Sequence, residues 1–255
     1  MTKRLTIWLV CCVSLVACGN RTVQCTGAAC APDDGALWVY LLAGQSNMVG
    51  LGLNSEIPAS EARPVDKTTI YYDDGPHQNY NAKRWLPLAP GFGVTTKRFG
   101  PELSFGQRLR QLWPKRQLAF IKVAESNTAL ADRWAARSGD LYKTLVSAAR
   151  TGLEKLRQQH QVVHLAGLVW MQGESDAGKM TTASTYGQHL TAFVQALRTD
   201  LGAPNMPVIA GLIATKGGWR YATLVRGATM AVAKQLSHVR TVDTADLPLD
   251  RAHYN

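Results

Sequence analysis

The sequence lacks several features that would point to well-known classes of protein. Its apolar N-terminal run, Leu5–Ala17, is shorter than the roughly 20 residues that a membrane-spanning helix needs. There is no phosphate-binding loop of the G-x-x-x-x-G-K type, and no two histidines lie at metal-ligand spacing together with an acid. Past the N-terminal region there is no internal repeat or low-complexity segment. We therefore predict no metal and no cofactor.

Cysteine is scarce, with five in 255 residues, and all five lie near the N-terminus. Cys11 and Cys12 fall in a candidate signal peptide, and Cys18 follows it. Cys25 and Cys30 lie close together in "CTGAAC", and an exported pair of this kind can oxidise to a disulfide. No histidine or further cysteine lies beside this pair, so zinc is not predicted.

The N-terminus has the pattern of a targeting segment. A short basic region precedes the apolar run, and the run ends in Leu15-Val16-Ala17-Cys18, which resembles the lipobox of bacterial lipoproteins. That resemblance implies cleavage after residue 17 and acylation of Cys18. A plain secretory signal is the alternative.

The mature chain is therefore expected outside the cytoplasm. Gly19 at the second mature position is unlike an inner-membrane retention signal, which favours an exported bacterial lipoprotein of the outer membrane, on its periplasmic or surface face. Residues 1–17 would be the signal peptide. Residues 18–35 are small, polar and proline-containing, which indicates a tether. The lipid anchor would bind this tether to the membrane.

Charge adds a weaker indication. The formal net charge is +10, and removal of Lys3 and Arg4 with the signal peptide leaves +8. Excess positive charge can favour an anionic lipid, glycan or nucleic acid. Lysine and arginine are scattered along the chain rather than clustered, which favours a solvated basic surface, and we predict no nucleic-acid partner.

Residues 36–255 alternate between short β-rich runs and amphipathic stretches, which predicts one domain with a doubly wound, mainly parallel α/β sheet. The predicted strands are Leu37–Ala43, Thr69–Tyr72, Leu118–Val123, His164–Trp170, Val208–Ile213 and Val239–Val242. The predicted helices are Glu102–Leu112, Leu141–Gln159, Thr185–Leu201 and Arg220–Leu236. The proline-rich stretch Gly50–Phe99, broken only by the second strand, is predicted to be an irregular binding surface.

One candidate nucleophile stands at the end of the first predicted strand. The stretch "LWVYLLAGQSNMVGLG" places Ser46 just past this strand, where a helix would begin. Ligands of open α/β sheets bind at the carboxyl ends of the strands, and the N–H groups of a helix N-terminus suit a developing oxyanion. Helix capping is the other interpretation of Ser46.

A candidate base lies at the far end of the chain. In "LPLDRAHYN", Asp250 precedes His253 by three residues. On one turn this spacing would let the carboxylate reach the imidazole and hold its tautomer. The pair follows the last predicted strand, so one edge of the sheet can bring it to Ser46.

Four motifs in this order resemble one family. They are Gly44-Gln45-Ser46-Asn47-Met48, "FGPELSFG" from Phe99, "WMQGESD" from Trp170, and Asp250-x-x-His253. This combination is similar to SGNH-type esterases of the sialate O-acetylesterase and acetyl xylan esterase group, which are carbohydrate esterases of family 6 type. The resemblance implies a three-layer α/β/α flavodoxin-like fold. It also implies a carboxylic ester hydrolase, with an acetylated carbohydrate as substrate.

The resemblance also implies roles for individual residues. Ser46 would be the nucleophile, His253 the general base and Asp250 its orienting acid. The oxyanion hole would be formed by the N–H groups of Ser46 and Gly100 and by the side-chain amide of Gln172. Further supporting residues would be Gln45, Asn47 and Glu174.

Several alternatives stay open. Glu174 is a second candidate for orienting the histidine, or else a buried carboxylate that bonds backbone N–H groups of the Ser46 turn. "KVAESNTAL" has Ser126-Asn127 where the family has glycines, and Trp134 is either a pocket wall or a core residue. We expect no C-terminal helix of the kind that the family has after His253, which motivates an alternative function. This alternative is a weak or inactive esterase-like lipoprotein that binds glycan. The sequence does not identify the sugar (sialic acid, xylan or a surface polysaccharide) or the oligomeric state.

Overall fold

The computed structural model describes residues 35–73, 83–245, 247, 249–250 and 253–254. The predicted signal peptide, Cys18 and the pair Cys25 and Cys30 lie outside the described residues, as does nearly all of the tether. For residues 249–250 and 253–254 the description is of the backbone alone.

Strands and helices alternate along most of the described chain. The strands are β1 (Leu37–Gly44), β2 (Gly52–Leu53), β3 (Thr68–Asp73), β4 (Trp85–Pro87), β5 (Arg98–Phe99), β6 (Gln117–Ala124), β7 (Val163–Met171), β8 (Val208–Leu212), β9 (Val239–Asp243), β10 (Leu249–Asp250) and β11 (His253–Tyr254). The helices are α1 (Ser46–Val49), α2 (Pro101–Leu112), α3 (Asp140–Gln159), α4 (Met180–Asp200) and α5 (Ala222–Gln235). All predicted strands and helices are present. No described helix combines the length and the apolarity needed to cross a membrane.

Seven strands form one central sheet in the order β4-β3-β6-β1-β7-β8-β9. Every neighbouring pair is parallel except β3 and β4, which are antiparallel. Apolar residues of α3, α4 and α5 pack on one face, and those of α1 and α2 pack on the other. This arrangement confirms the three-layer, mainly parallel α/β fold.

The order of the parallel strands differs from the flavodoxin order 2-1-3-4-5, because β6 lies between β3 and β1. β1 is therefore at the centre, with β6 on one side and β7 on the other. Its interior position explains its near-continuous apolar sequence, since a strand covered on both faces excludes polar side chains. The carboxyl end of β1 consequently opens between two neighbouring strand ends.

The stretch Gly50–Phe99 contains more regular structure than we predicted. β4 adds an antiparallel edge strand to the sheet, and β2 pairs with β5 in a separate two-stranded ladder. These strands are two or three residues long, which is too short to show a period in the sequence.

Candidate active site

Ser46 lies where the central strand gives way to a helix. β1 ends at Gly44, Gln45 follows, and Ser46 is the first residue of α1. The residue is largely buried, with 7% of its surface exposed. The first N–H groups of a helix have no intrahelical partner and carry partial positive charge. An acyl oxygen that becomes negative beside Ser46 would meet that charge.

Helix capping does not account for Ser46. The capping residue of α1 is Gln45, and no side chain makes a capping hydrogen bond at this helix start. Ser46 has already entered the helix, so its hydroxyl is not needed to satisfy the helix end.

The turn before Ser46 is held tightly against the end of β7. A Cβ atom on Gly44 would lie 2.0 Å from the carbonyl oxygen of Met171, and the φ of Gly44 is +151°. The N–H of Gln45 donates to that same carbonyl at 2.9 Å. Glycine at position 44 is thus required by close approach. This contact joins the Ser46 turn to the "WMQGESD" segment.

Gln45 and Gln172 interlock beneath the Ser46 turn. The Nε2 of Gln172 donates to the Oε1 of Gln45 at 3.2 Å, to the Thr128 carbonyl at 2.9 Å and to the Oδ2 of Asp176 at 2.6 Å. The N–H of Ser175 also donates to the Oε1 of Gln45, at 3.3 Å. These hydrogen bonds connect the turn before Ser46 to the segment that follows β7.

These bonds differ from the predicted role of Gln172 as an oxyanion donor. Its amide has two hydrogens, and the carboxylate and carbonyl oxygens that surround Nε2 are all acceptors. Reversing the amide would set its oxygen against Asp176. Gln172 Oε1 is buried and has no hydrogen-bond partner among the described residues. In the described structure the amide donors of Gln172 bond interior acceptors, and its role in the oxyanion hole stays a prediction.

Asp176 is the acid that anchors this network. It is fully buried and also accepts from the N–H of Leu130 at 2.8 Å. Burial raises the pKa of Asp176, against the opposing effect of its hydrogen bonds from Leu130 and Gln172. No signal in the sequence indicated this role, because Leu130, whose N–H bonds Asp176, lies 46 residues earlier in the chain.

Asn47 connects the Ser46 helix to a second buried acid. Its Nδ2 donates to the Oε1 of Glu174 at 2.6 Å. Glu174 is 2% exposed, and its Oε2 has no hydrogen-bond partner in the described part of the chain. Desolvation by burial raises the pKa of Glu174 to about 7, although the hydrogen bond from Asn47 opposes the rise. Glu174 therefore bonds the Ser46 turn through the side chain of Asn47, where we predicted bonds to backbone N–H groups.

The N–H of Gly100 is also committed. It donates to the Oε1 of Glu102 at 2.8 Å, within the buried first turn of α2. An oxyanion would have to displace this bond. Gly100 packs directly on the residue after α1, since a Cβ on Gly50 would lie 2.3 Å from the Gly100 Cα. Gly100 thus packs against the Ser46 helix, and the role of its N–H in the oxyanion hole stays a prediction.

A buried ion pair, Lys122–Glu102, lies under the same helix. The Nζ of Lys122 is 2.7 Å from the Oε2 of Glu102, and both side chains are fully buried. The Nζ also donates to the carbonyls of Val49 at 2.9 Å and Phe92 at 2.8 Å. Desolvation lowers the pKa of Lys122, and Glu102 opposes this. A lysine in the apolar strand "QLAFIKVA" was the available sequence signal.

Asp250 and His253 are paired by the backbone. β10 and β11 form a short antiparallel ladder in which Asp250 lies directly opposite His253. We predicted that one turn would bring these residues together, and the observed element is a hairpin instead. Cα atoms of β11 lie within 8 Å of those of α1. The end of the chain thus returns to the helix that begins with Ser46.

The remaining predicted residues have structural positions. Trp134 is a core residue, because it is fully buried and packs edge-on against Trp170 with ring centroids 5.1 Å apart. Asn127 has a φ of +60°, in the left-handed region that asparagine tolerates better than most residues. This explains how the segment after β6 turns at a position where the family has glycine.

We compared the chain with known proteins. A family profile described as "Carbohydrate esterase, sialic acid-specific acetylesterase" matches residues 36–255. A protein of Arabidopsis thaliana described as a probable carbohydrate esterase is 31% identical over 226 residues, which cover 83% of this chain and 80% of that protein.

Solved structures share the fold. A crystal structure of a protein from Arabidopsis thaliana has a TM-score of 0.70 at 24% identity, covering 85% of this chain and 90% of that one. The structure of NanS has a TM-score of 0.64 at 18% identity, with 82% and 77% covered. A carbohydrate acetylesterase from Xanthomonas citri has a TM-score of 0.62 at 18% identity, with 85% and 52% covered.

The family profile spans nearly all of the described chain, and the curated relative exceeds 30% identity over most of it. The predicted resemblance to SGNH-type carbohydrate esterases is confirmed. The chain therefore belongs to the carbohydrate esterase, sialic acid-specific acetylesterase family, and it is a carboxylic ester hydrolase.

Proposed function

We propose that this enzyme removes O-acetyl groups from a carbohydrate through a Ser46–His253–Asp250 triad. The observation that carries the proposal is the return of β11 to α1, with Cα atoms within 8 Å. A serine needs a nearby base to become a nucleophile. His253 is one of the two residues of β11, and an imidazole is the side chain of this strand that can act as a base near neutral pH.

The reaction would follow two acyl-transfer steps. His253 takes the Ser46 hydroxyl proton as Oγ attacks the acetyl carbonyl, and the sugar oxygen leaves with the proton that His253 returns. Water then attacks the acetyl-serine with His253 again as base, and acetate leaves as Ser46 regains its proton. The N–H of Ser46 supports the oxyanion in both steps.

We assign two other motif residues a supporting role. Gly100 and Gln172 would hold the frame of the Ser46 turn, because their N–H groups already bond Glu102, Thr128 and Asp176. An N–H group that donates to an internal acceptor must lose that hydrogen bond before it can donate to an oxyanion.

Asp250 is favoured over Glu174 as the acid that orients His253. Residues directly opposite in an antiparallel pair share one face of the ladder, and Asp250 is opposite His253. Glu174 already accepts a hydrogen bond from Asn47, and its raised pKa of about 7 means that much of it is protonated near neutrality. A neutral acid stabilises an imidazolium less than a carboxylate does.

We also propose that the enzyme is exported and anchored through a lipid on Cys18, with Cys25 and Cys30 joined as a disulfide. The support is the N-terminal pattern in the sequence. An anchor of this kind would place the active site outside the cytoplasm, where acetylated glycans of the cell surface or of the surroundings are available.

The test of the proposed reaction is acetate release by the purified protein from acetylated sialic acid, acetylated xylan and acetylated surface polysaccharide. We expect Ser46→Ala to lower the rate at least about 10³-fold. Ser184→Ala, an exposed serine on α4, is the matched control and should keep the wild-type rate. Full activity of Ser46→Ala would refute the nucleophile. A folded wild type that binds these glycans and releases no acetate would favour the glycan-binding alternative.

A further inference from the structure

A groove lies at the edge of the sheet, apart from the Ser46 turn. Along β3, Ile70 and Tyr72 are buried on the α2 side, whereas the residues that face the α3 side are half-buried. On the face of the sheet where α3 packs, the helix leaves part of β3 and β4 uncovered. The open strip and the flank of α3 enclose about 780 Å³.

Two aromatic rings form the floor of this groove. Tyr71 and Trp85 have ring centroids 5.8 Å apart at an interplanar angle of 45°. Trp85 also packs closely on α3, because a Cβ on Gly152 would lie 3.4 Å from its ring atom Cζ2. The glycine lets the indole approach the helix. The floor is thus a fixed aromatic surface that remains half-exposed.

The rim of the groove is cationic. Four of its lining residues carry positive charge, Lys83, Arg84, Lys143 and Lys155, and the one acid that lines it is Asp73. Among the described residues, Lys83, Lys143 and Lys155 form no ion pair. Uncompensated cations around a concave surface concentrate anions there.

We propose that this groove binds a segment of an acidic polysaccharide, as a site separate from the one that cleaves the ester. Lysine rims suit carboxylate groups of the sugar units, and aromatic faces suit the apolar faces of pyranose rings. The inference rests on the proposed function in one respect, namely that the ligand is a carbohydrate polymer.

The position of the groove fits a ligand that also reaches Ser46. β3 runs parallel to β6, and β6 runs parallel to β1, so Asp73 and Gly44 end at the same edge of the sheet. Strands lie about 4.8 Å apart, so β3 is roughly 10 Å from β1. The groove begins at this edge, near Lys143 in the first turn of α3, and continues along the helix to Lys155. A bound polymer would hold neighbouring sugars close to the nucleophile.

Binding is tested with the full protein by calorimetry, with polygalacturonate and polysialate as acidic polymers and dextran as the neutral one. We expect binding of an acidic polymer, no binding of dextran, and weakening with added salt. The double variant Lys143→Glu/Lys155→Glu should weaken Kd at least about tenfold. The matched double variant Lys115→Glu/Lys234→Glu changes exposed lysines at the amino-terminal end of the sheet and should bind as the wild type does.

Three results would overturn the proposal that this groove binds an acidic polysaccharide. The Lys143/Lys155 variant could bind the acidic polymer as tightly as the wild type, or both double variants could weaken binding equally. The third result is binding of a DNA duplex as tight as that of the acidic polymers. Hydrolysis of a small acetate ester separates the groove from the active site. The Lys143/Lys155 variant should keep this activity, and Ser46→Ala should keep polymer binding. If the wild type binds the acidic polymers but does not hydrolyse the small ester, the result would count against the triad and not against the groove.

Discussion

At the scale of single residues, the site places two buried acids beneath one serine. Asp176 accepts from backbone and amide donors, whereas Glu174 has one side-chain donor, Asn47, and an Oε2 atom without a hydrogen-bond partner among the described residues. Desolvation by burial raises the pKa of Glu174 to about 7, and the hydrogen bond from Asn47 opposes this rise only in part. Glu174 is therefore the residue whose protonation responds to pH in the neutral range.

The pH dependence of stability follows from the sign of this shift. The ordinary pKa is 4.5 and the folded value is about 7, so the unfolded chain loses its proton first as pH rises. The contribution of Glu174 to the free energy of unfolding is fully present below about pH 4.5. It is lost as the pH rises to about 7, a decrease on the order of 3 kcal/mol.

Glu174→Gln removes this titration and retains an oxygen that accepts from Asn47. We expect the free energy of unfolding of the wild type to fall relative to this variant between pH 5 and pH 8, as measured by urea denaturation. Glu154→Gln, an exposed acid on α3, should follow the wild type at both pH values. Parallel pH curves for Glu174→Gln and the wild type would contradict the assignment.

At the scale of elements, α1 is only four residues long and depends on its neighbours. The ion pair Lys122–Glu102 joins the end of α1, through the Val49 carbonyl, to the segment at Phe92 and to the start of α2. An isolated helix of one turn is unstable in water. The position of Ser46 is thus set by tertiary contacts and not by helix propensity.

Lys122→Met should consequently destabilise the protein by about 3–5 kcal/mol, because it leaves Glu102 buried without its cation. Glu102→Leu/Lys122→Met, which removes both charges, should be less destabilised than Lys122→Met alone. Lys155 is exposed on α3, so Lys155→Met should change the free energy of unfolding by less than about 0.5 kcal/mol. Urea denaturation measures all three variants, and a near-neutral Lys122→Met would show that the pair does not support α1.

Long elements were predictable and short ones were not. β1, β7 and α3 carry enough residues to show burial and period, and each was predicted to within one residue at both ends. β4, β5 and the β10–β11 hairpin consist of two or three residues each. β4 and β5 are created by pairing with β3 and β2, and a single sequence does not show these partners, whereas β10 and β11 pair with each other. The spacing of Asp250 and His253 correctly indicated that the two residues lie close together. It predicted a single turn, whereas the structure has an antiparallel pair of strands.

At the scale of the whole molecule, the order of motifs predicted the family and the location of the site. The carboxyl ends of parallel strands must meet at one edge, so Ser46, the segment after Trp170 and the end of the chain were expected together. The roles of Gly100 and Gln172 as oxyanion donors stay predictions. Their hydrogen bonds are to Glu102, Thr128 and Asp176, and such choices depend on side-chain geometry that no motif records.

The placement of the molecule in the cell is testable independently of its chemistry. Expression in a bacterium fed radiolabelled palmitate should label the wild type and not Cys18→Ala, because acylation requires the cysteine at the cleavage site. Cys25→Ala, a cysteine outside the lipobox, should remain labelled. Equal labelling of Cys18→Ala and the wild type would contradict the anchor.

The central claim is that the last strand brings a base to Ser46. The most direct measurement is the rate at which a fluorophosphonate modifies the enzyme, with the adduct located by mass spectrometry. We predict a single adduct on Ser46 in the wild type, formed at least about 100-fold more slowly in His253→Ala, because the hydroxyl reacts only when its proton is accepted. An adduct on another residue, or an undiminished rate in His253→Ala, would contradict the account.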